Sequence, residues 1–196
     1  MYTDREIIDT KEKFDDVEEK WYKDYVDYAV TYELFNGVSD TEFAPNQSMT
    51  RGMFVTVLSR LSGENLEGAD FESVFDDVAD GRYYSDAIAW AAANDIVNGL
   101  SETEFGVNEN ITREQMCTML VRFEDYMWIE LSTDVEKAEF ADNADISKWA
   151  KDAVYACQQA GIVNGVTATT FEPKGTATRG QVAKILSIFH QDYLNW

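Results

Sequence analysis

The sequence predicts an all-α fold of three helix–loop–helix repeats around a pseudo-threefold three-helix core. Three observations carry that expectation. Trp21, Tyr83 and Trp149 head three segments that stay in gap-free register, at offsets of 62 and 66 residues, down to Thr50-Arg51, Thr112-Arg113 and Thr178-Arg179. Each segment places its apolar residues at helical spacing. The stripes that result are too apolar to be left on an isolated helical hairpin, so the copies must pack on one another.

Each copy opens on a short motif: Phe14-Asp15-Asp16-Val17, Phe75-Asp76-Asp77-Val78 and Phe140-Ala141-Asp142. The organisation expected is an extension over 1–13, repeats over 14–62, 75–127 and 140–196, and linkers over 63–74 and 128–139, all within one folded domain. The first helix of each copy is expected to run from the aromatic to just before Asn36-Gly37, Asn98-Gly99 or Asn164-Gly165. Val26, Ala29 and Val30, Ile88, Ala91 and Ala92, and Val154 and Cys157 form its apolar face. The three glycines suit a left-handed residue that terminates a helix, a conformation glycine adopts without a Cβ penalty. Phe43, Phe105 and Phe171 sit centrally in the loops and are expected to plug the core beneath them.

The second helix is expected to begin at Thr50, Thr112 and Thr178, each an N-cap whose hydroxyl accepts from a first-turn N–H. Gln115 and Gln181 complete a capping box, whereas Met53 leaves the first copy with half of one. The stripes that follow are Phe54, Val57, Leu58 and Leu61; Met116, Met119, Leu120 and Phe123; and Val182, Ile185, Leu186 and Phe189. A stripe of this kind is core rather than a cofactor box.

Composition narrows the function. Hydrophobic residues make up 45%, enough for a packed core, and with 11 Gly and 2 Pro the fibrous and low-complexity classes drop out. No run approaches the length of a membrane span. Residues 1–13 lack the basic and apolar regions of a signal peptide, so the chain reads as cytosolic or as an excised part of a secreted protein. The net charge of −21 argues against nucleic acid, whose binding rests on Lys and Arg, and is read as solvation of helix faces. Asp15-Asp16 and Asp76-Asp77 lack the ligand spacing of a calcium loop. Cys117 and Cys157 cannot form a disulfide framework or a zinc site, and are expected to be buried free thiols, with a single bridge left open. His190 has no partner that would make it a general base. Neither a metal nor a cofactor is expected.

These repeats resemble the S-layer homology (SLH) family. The family pattern is Phe-x-Asp-Val, a Trp-centred first helix, a Gly hinge, Phe-x-Pro, then Thr-Arg-Ala-Glu. It reads here as Phe14-Asp-Asp-Val, Trp21-Tyr-Lys-Asp24, Asn36-Gly37, Phe43-Ala-Pro45 and Thr50-Arg-Gly-Met53, and recurs as Phe75-Asp-Asp-Val with Thr112-Arg-Glu-Gln115. The third copy gives Trp149-Ala-Lys-Asp152, Phe171-Glu-Pro173 and Thr178-Arg-Gly-Gln181. The match covers about residues 14–194. It departs where Met53, Gln115 and Gln181 replace the final Glu, and where Val107 replaces Pro.

The resemblance implies a non-catalytic, extracellular module at the bacterial cell wall. Its partner would be a secondary cell-wall polysaccharide or peptidoglycan-linked glycan, with neighbouring surface proteins a further class. In several members the polymer carries pyruvate ketals, which are carboxylates. Arg51, Arg113 and Arg179, each opening a helix, offer bidentate donors beside a positive helix end. Thr50, Thr112 and Thr178 stand next to them, and Trp21, Tyr83 and Trp149 are either sugar platforms or core. The competing role for each Arg is an ion pair with Asp24, Asp86 or Asp152, which otherwise read as first-turn dipole partners, or with a carboxylate of a neighbouring repeat. Two other functional readings are an S-layer-type self-assembly module and a carbohydrate-active enzyme. The enzyme would need an acid and a base in one cleft, and no insertion breaks the repeat to supply one.

Overall fold

The computed structural model describes residues 5–66 and 75–194. Residues 1–4 of the expected extension, 67–74 of the first expected linker and the last two residues lie outside the described set. Six α-helices form, as expected for an all-α chain: α1 (Lys23–Thr31), α2 (Arg51–Leu61), α3 (Ser85–Ala93), α4 (Arg113–Tyr126), α5 (Lys151–Gln159) and α6 (Arg179–Phe189). A 3-10 turn at Thr10–Glu12 precedes α1 and a π-helical turn at His190–Leu194 follows α6. No described residue lies in a named strand, and no helix of the structure is long and apolar enough to cross a membrane.

The chain forms two compact units. One combines the described residues of Met1–Met49 with those of Ala177–Trp196, and the other is built from Thr50–Thr176. In the first, α1 packs on α6; in the second, α2 packs on α3, α4 packs on α5, and α2 touches α4. The closely packed pairs thus join the second helix of one repeat to the first helix of another. In the second unit, single antiparallel bridges tie the N-cap residues Thr50 to Asn110 and Thr112 to Thr176; in the first unit, Thr178 is tied to Ser48.

The second helices start where the sequence puts them. Thr50, Thr112 and Thr178 are extended N-caps whose hydroxyls accept from the N–H of Met53, Gln115 and Gln181. Capping boxes are complete at α4 and α6, because the side chains of Gln115 and Gln181 accept back from the cap N–H. Phe54, Leu58, Met116, Leu120, Val182, Leu186 and the loop residues Phe43, Phe105 and Phe171 are fully buried.

The first helices are shorter than expected. They begin two residues after the aromatic and end five before the Asn of Asn-Gly. The left-handed residue at each helix end is not the Asn-Gly glycine but Glu33 (φ 60°), Asp95 (φ 57°) or Gly161 (φ 73°). Beyond it, the N–H groups of Leu34, Ile96 and Ile162 reach back to the carbonyls of Ala29, Ala91 and Cys157, a Schellman-type closure. Gly37, Gly99 and Gly165 are required for a different reason. A Cβ on Gly99 would lie 2.3 Å from the Ser101 carbonyl oxygen and 2.6 Å from both the Glu104 carbonyl and Phe75. The loop doubles back so closely there that only a hydrogen fits.

Candidate functional site

The loop carrying each buried Phe is held from its own entry motif. Asp16 accepts from the N–H groups of Phe43 and Ala44, Asp77 from Phe105, Gly106 and Val107, and Asp142 from Phe171 and Glu172. Burial opposes ionisation of Asp77 and Asp142, but the loop N–H groups outweigh it and hold both carboxyls below the ordinary Asp range. Ala44, Gly106 and Glu172 take positive φ so that two successive N–H groups can converge on one carboxylate.

The three arginines meet the same loops from the other side. Arg51 donates from Nε to the Phe105 carbonyl and from Nη2 to the Asn98 carbonyl, both at 2.9 Å. Arg113 does the same to Phe171 (2.8 Å) and Asn164 (2.7 Å), and Arg179 to Phe43 and Asn36 (both 2.7 Å). Each guanidinium also lies over the loop Phe ring, its carbon 4.5–4.7 Å from the centroid. All three side chains are buried. Burial lowers the Arg51 pKa to about 10 against the opposing pull of Asp77, and lowers that of Arg113. Arg51 therefore remains charged at neutral pH.

The arginines thus take neither of the roles weighed from sequence in full. Two donors of each fork hold backbone carbonyls rather than Asp24, Asp86 or Asp152, which lie in the first turns of α1, α3 and α5. The open helix ends expected beside them are also engaged. The N–H groups of Arg51 and Gly52 donate to Glu109 and Val107, those of Arg113 and Glu114 to Gly175 and Pro173, and those of Arg179 and Gly180 to Gln47 and Pro45. The third N–H goes to the cap Thr. Trp21, Tyr83 and Trp149 are more than half exposed, whereas Tyr22 and Ala150 just after two of them are buried. The aromatics are therefore presented to solvent rather than spent on the core.

One arginine opens onto a cavity. A groove of about 350 Å³ in the second unit is lined by Arg51, the hinge residues Asn98, Gly99 and Leu100, then Gln115, Thr118, Met119 and Arg122 on α4, and Trp149. It draws on all three repeats. With its amide oxygen turned toward α4, Asn98 accepts from Arg122 at 3.0 Å (Nη1) and 3.2 Å (Nη2). Two guanidinium groups thus converge on one asparagine, Arg51 on its carbonyl and Arg122 on its side chain. Among the described residues no carboxylate lines the groove, although Asp and Glu outnumber Lys and Arg by 37 to 16 in the whole chain. Trp149, 58% exposed, offers a flat apolar wall. Of the expected site residues, the structure brings Arg51 and Trp149 together here.

Arg122 escaped the sequence reading because it stands within the stripe that reads as core, directly before Phe123. Its register partners are Arg60 and Ile188, and an arginine recurring at this position in two of the three copies is the signal that could have exposed it. Among the described residues, no group of His, Cys, Asp or Glu could hold a metal ion.

The comparisons agree with the repeat. The S-layer homology domain family matches residues 13–52, 74–117 and 139–183. An endoglucanase of Bacillus sp. (strain KSM-635) is 37% identical over 92% of this chain and 19% of its own length. An amylopullulanase of Thermoanaerobacterium thermosulfurigenes is 31% identical over 88% of the chain and 9% of its own length. A surface-layer 125 kDa protein of Lysinibacillus sphaericus is 29% identical over 84% and 14%. The chain thus spans less than a fifth of each of these relatives.

Proposed function

The chain belongs to the S-layer homology family, and on that premise we propose that it is a non-catalytic, extracellular module that anchors its parent protein to the bacterial cell wall. Its ligand is a wall-linked polysaccharide bearing carboxylate substituents such as pyruvate ketals, bound in the groove between Arg51, Arg122 and Trp149. The observation that carries this reading is the groove itself: two guanidinium groups, one exposed indole and, among the described residues, no acidic side chain, in a chain of net charge −21. A guanidinium fork matches a carboxylate in a way no neutral group does, and an indole face covers the apolar side of a sugar ring. Similar stretches recur in two enzymes with different names and in a surface-layer protein. That pattern fits a shared location better than a shared reaction.

The test is a titration of the protein with purified wall polysaccharide, before and after chemical removal of its acidic substituents. Arg122→Ala is the cleanest probe, because Arg51 also holds two backbone carbonyls and its loss perturbs the loop. Losing a charge-assisted contact worth about 1.5–3 kcal/mol lowers affinity roughly ten- to hundredfold. Trp149→Ala lowers it roughly two- to tenfold. Equal affinity for the stripped polymer would remove the acidic ligand, and normal binding by both variants would remove the groove. Protein that sediments without any polymer points instead to self-assembly.

A further inference from the structure

The 196 residues include two cysteines, and they meet. Cys117 on α4 and Cys157 on α5 are both fully buried and free. The Cys157 Sγ lies 3.9 Å from the Cys117 carbonyl oxygen, and Cys117 together with burial pushes the Cys157 thiol pKa up. Packing alone does not ask for them. At the matching positions α2 and α3 carry Val55 and Ala91, and α6 and α1 carry Ala183 and Ala29, all fully buried. Small apolar side chains therefore serve this seam elsewhere, and only the α4–α5 seam has a thiol on each side.

We propose that Cys117 and Cys157 are an oxidative modification site, closing as an intramolecular disulfide that staples α4 to α5. The oxidant is a low-molecular-weight disulfide or a thiol–disulfide oxidoreductase. A thiolate of one cysteine attacks the reagent's S–S bond, forming a mixed disulfide and releasing one thiol. The second cysteine then attacks the mixed disulfide, forming the Cys117–Cys157 bond and releasing the second thiol. Two electrons and two protons pass to the reagent. In the finished seam Cys117 and burial hold Cys157 firmly as the neutral thiol, which is a poor nucleophile. The exchange therefore belongs to folding, before α5 closes on α4, and the packed seam then protects the bond from reductants. The bridge would span a 40-residue separation and restrict the unfolded chain accordingly.

The experiment uses the full chain, unfolded with reductant and refolded in a mixture of oxidised and reduced glutathione. Alkylation in denaturant followed by intact mass measurement counts the thiols. The expected product is a monomer without alkylation, with native far-UV circular dichroism and a melting temperature about 5–10 °C above that of the reduced protein. Cys117→Ala and Cys157→Ala place the residue other repeats use at these positions, so both should fold, take up glutathione or alkylating reagent, and show no melting shift with reductant. The proposal is overturned if both thiols remain alkylatable after refolding, if the bond forms only between chains, or if oxidation lowers helicity or the melting temperature. A reductant-dependent shift that persists in the single variants overturns it as well.

Discussion

The α1–α6 and α4–α5 pairs occupy equivalent places in the repeat, but α1 carries an ionic clasp to residues 9–10 on its outer side, whereas the α4–α5 seam carries a thiol on each helix. Around α1 the clasp is ionic. Lys23 and Asp27, both buried, pair at 2.6 Å; Lys23 also reaches Asp9 at 2.8 Å, and Asp27 accepts from the Thr10 N–H and hydroxyl. On the α6 side, Tyr28 meets the Nδ1 of buried His190 at 2.7 Å. Around α5 the corresponding seam holds two thiols, and its polar contacts lie at the ends: buried Glu114 at the start of α4 pairs with Lys174 and accepts from Ser147, and the Tyr155 hydroxyl donates to Asn143 at 3.0 Å and accepts from the Phe140 N–H at 3.3 Å. Asp27 aligns with Ala89 and Tyr155, so the clasp is an addition to one copy rather than a property of the repeat. It exists because residues 8–12 lie against α1 and bring polar groups with them. One scaffold thus tolerates a buried ion pair beside one first helix and a pair of facing thiols beside another.

The sharpest way to break this contrast is Asp27→Ala. It leaves a buried ammonium with only the half-exposed Asp9, and strips Thr10 of its acceptor. We expect a loss of about 3–4 kcal/mol in urea-unfolding free energy. A loss under about 1 kcal/mol would show that the clasp is ornamental.

Acidification should act on the same region next. Burial pushes His190 from its ordinary value of 6.5 down to about 4. Its folded state therefore prefers the neutral ring, and the unfolded chain binds the extra proton. Stability is whole above pH 6.5 and declines as pH falls toward 4, by about 3 kcal/mol in all. His190→Phe should flatten that window. Asp77 and Asp142, whose folded pKa values are depressed below 3.8, lose their contributions only at lower pH. Urea midpoints measured from pH 7 to 4 on both proteins would decide the matter, and parallel curves would sink the assignment to His190.

Smaller effects should follow. Tyr155→Phe removes two hydrogen bonds of α5, one donated to Asn143 and one accepted from the Phe140 N–H, and should cost about 1–2 kcal/mol. A penalty matching that of Asp27→Ala would erase the contrast. Met53→Gln should complete the missing capping box of α2 and raise stability by about 0.5 kcal/mol. A thermal melt that stays put or moves down would show that Gln cannot reach the Thr50 N–H.

Much of this was legible in the sequence, for identifiable reasons. Caps are local, so Thr50, Thr112, Thr178, Gln115 and Gln181 could be placed from spacing alone. Burial of Phe43, Phe105 and Phe171 and of both cysteines followed from periodicity and register. What stayed hidden is non-local. A stripe such as Phe54-Val57-Leu58 reveals that a face is buried but not by which helix. That is why α2 pairing with α3 was not foreseen. The left-handed turn fell on Glu33 and Asp95 rather than on the nearby glycines, because helix-end geometry overrode residue preference and the glycines were reserved for close approach. Arg51 gave no hint that its partners would be carbonyls, since a backbone acceptor leaves no mark in the side-chain pattern. Arg122 sat inside a run that reads as core, and only the folded groove separates it from Phe123.

The pairing of α1 with α6 has a consequence for how such a chain can change over generations. The unit that sequence duplication copies, one entry motif through one second helix, is out of phase with the unit that packs. Each new first helix must find its partner in the preceding copy, while α1 depends on the second helix of the last. Gaining or losing a copy therefore requires the new final copy to inherit the closing role, including the His190 that meets Tyr28. Point divergence within a fixed copy number meets no such demand. A buried position can hold alanine in one copy and cysteine or aspartate in another, as at Ala91 and Cys157 or Ala89 and Asp27, while the number of repeats stays where it is.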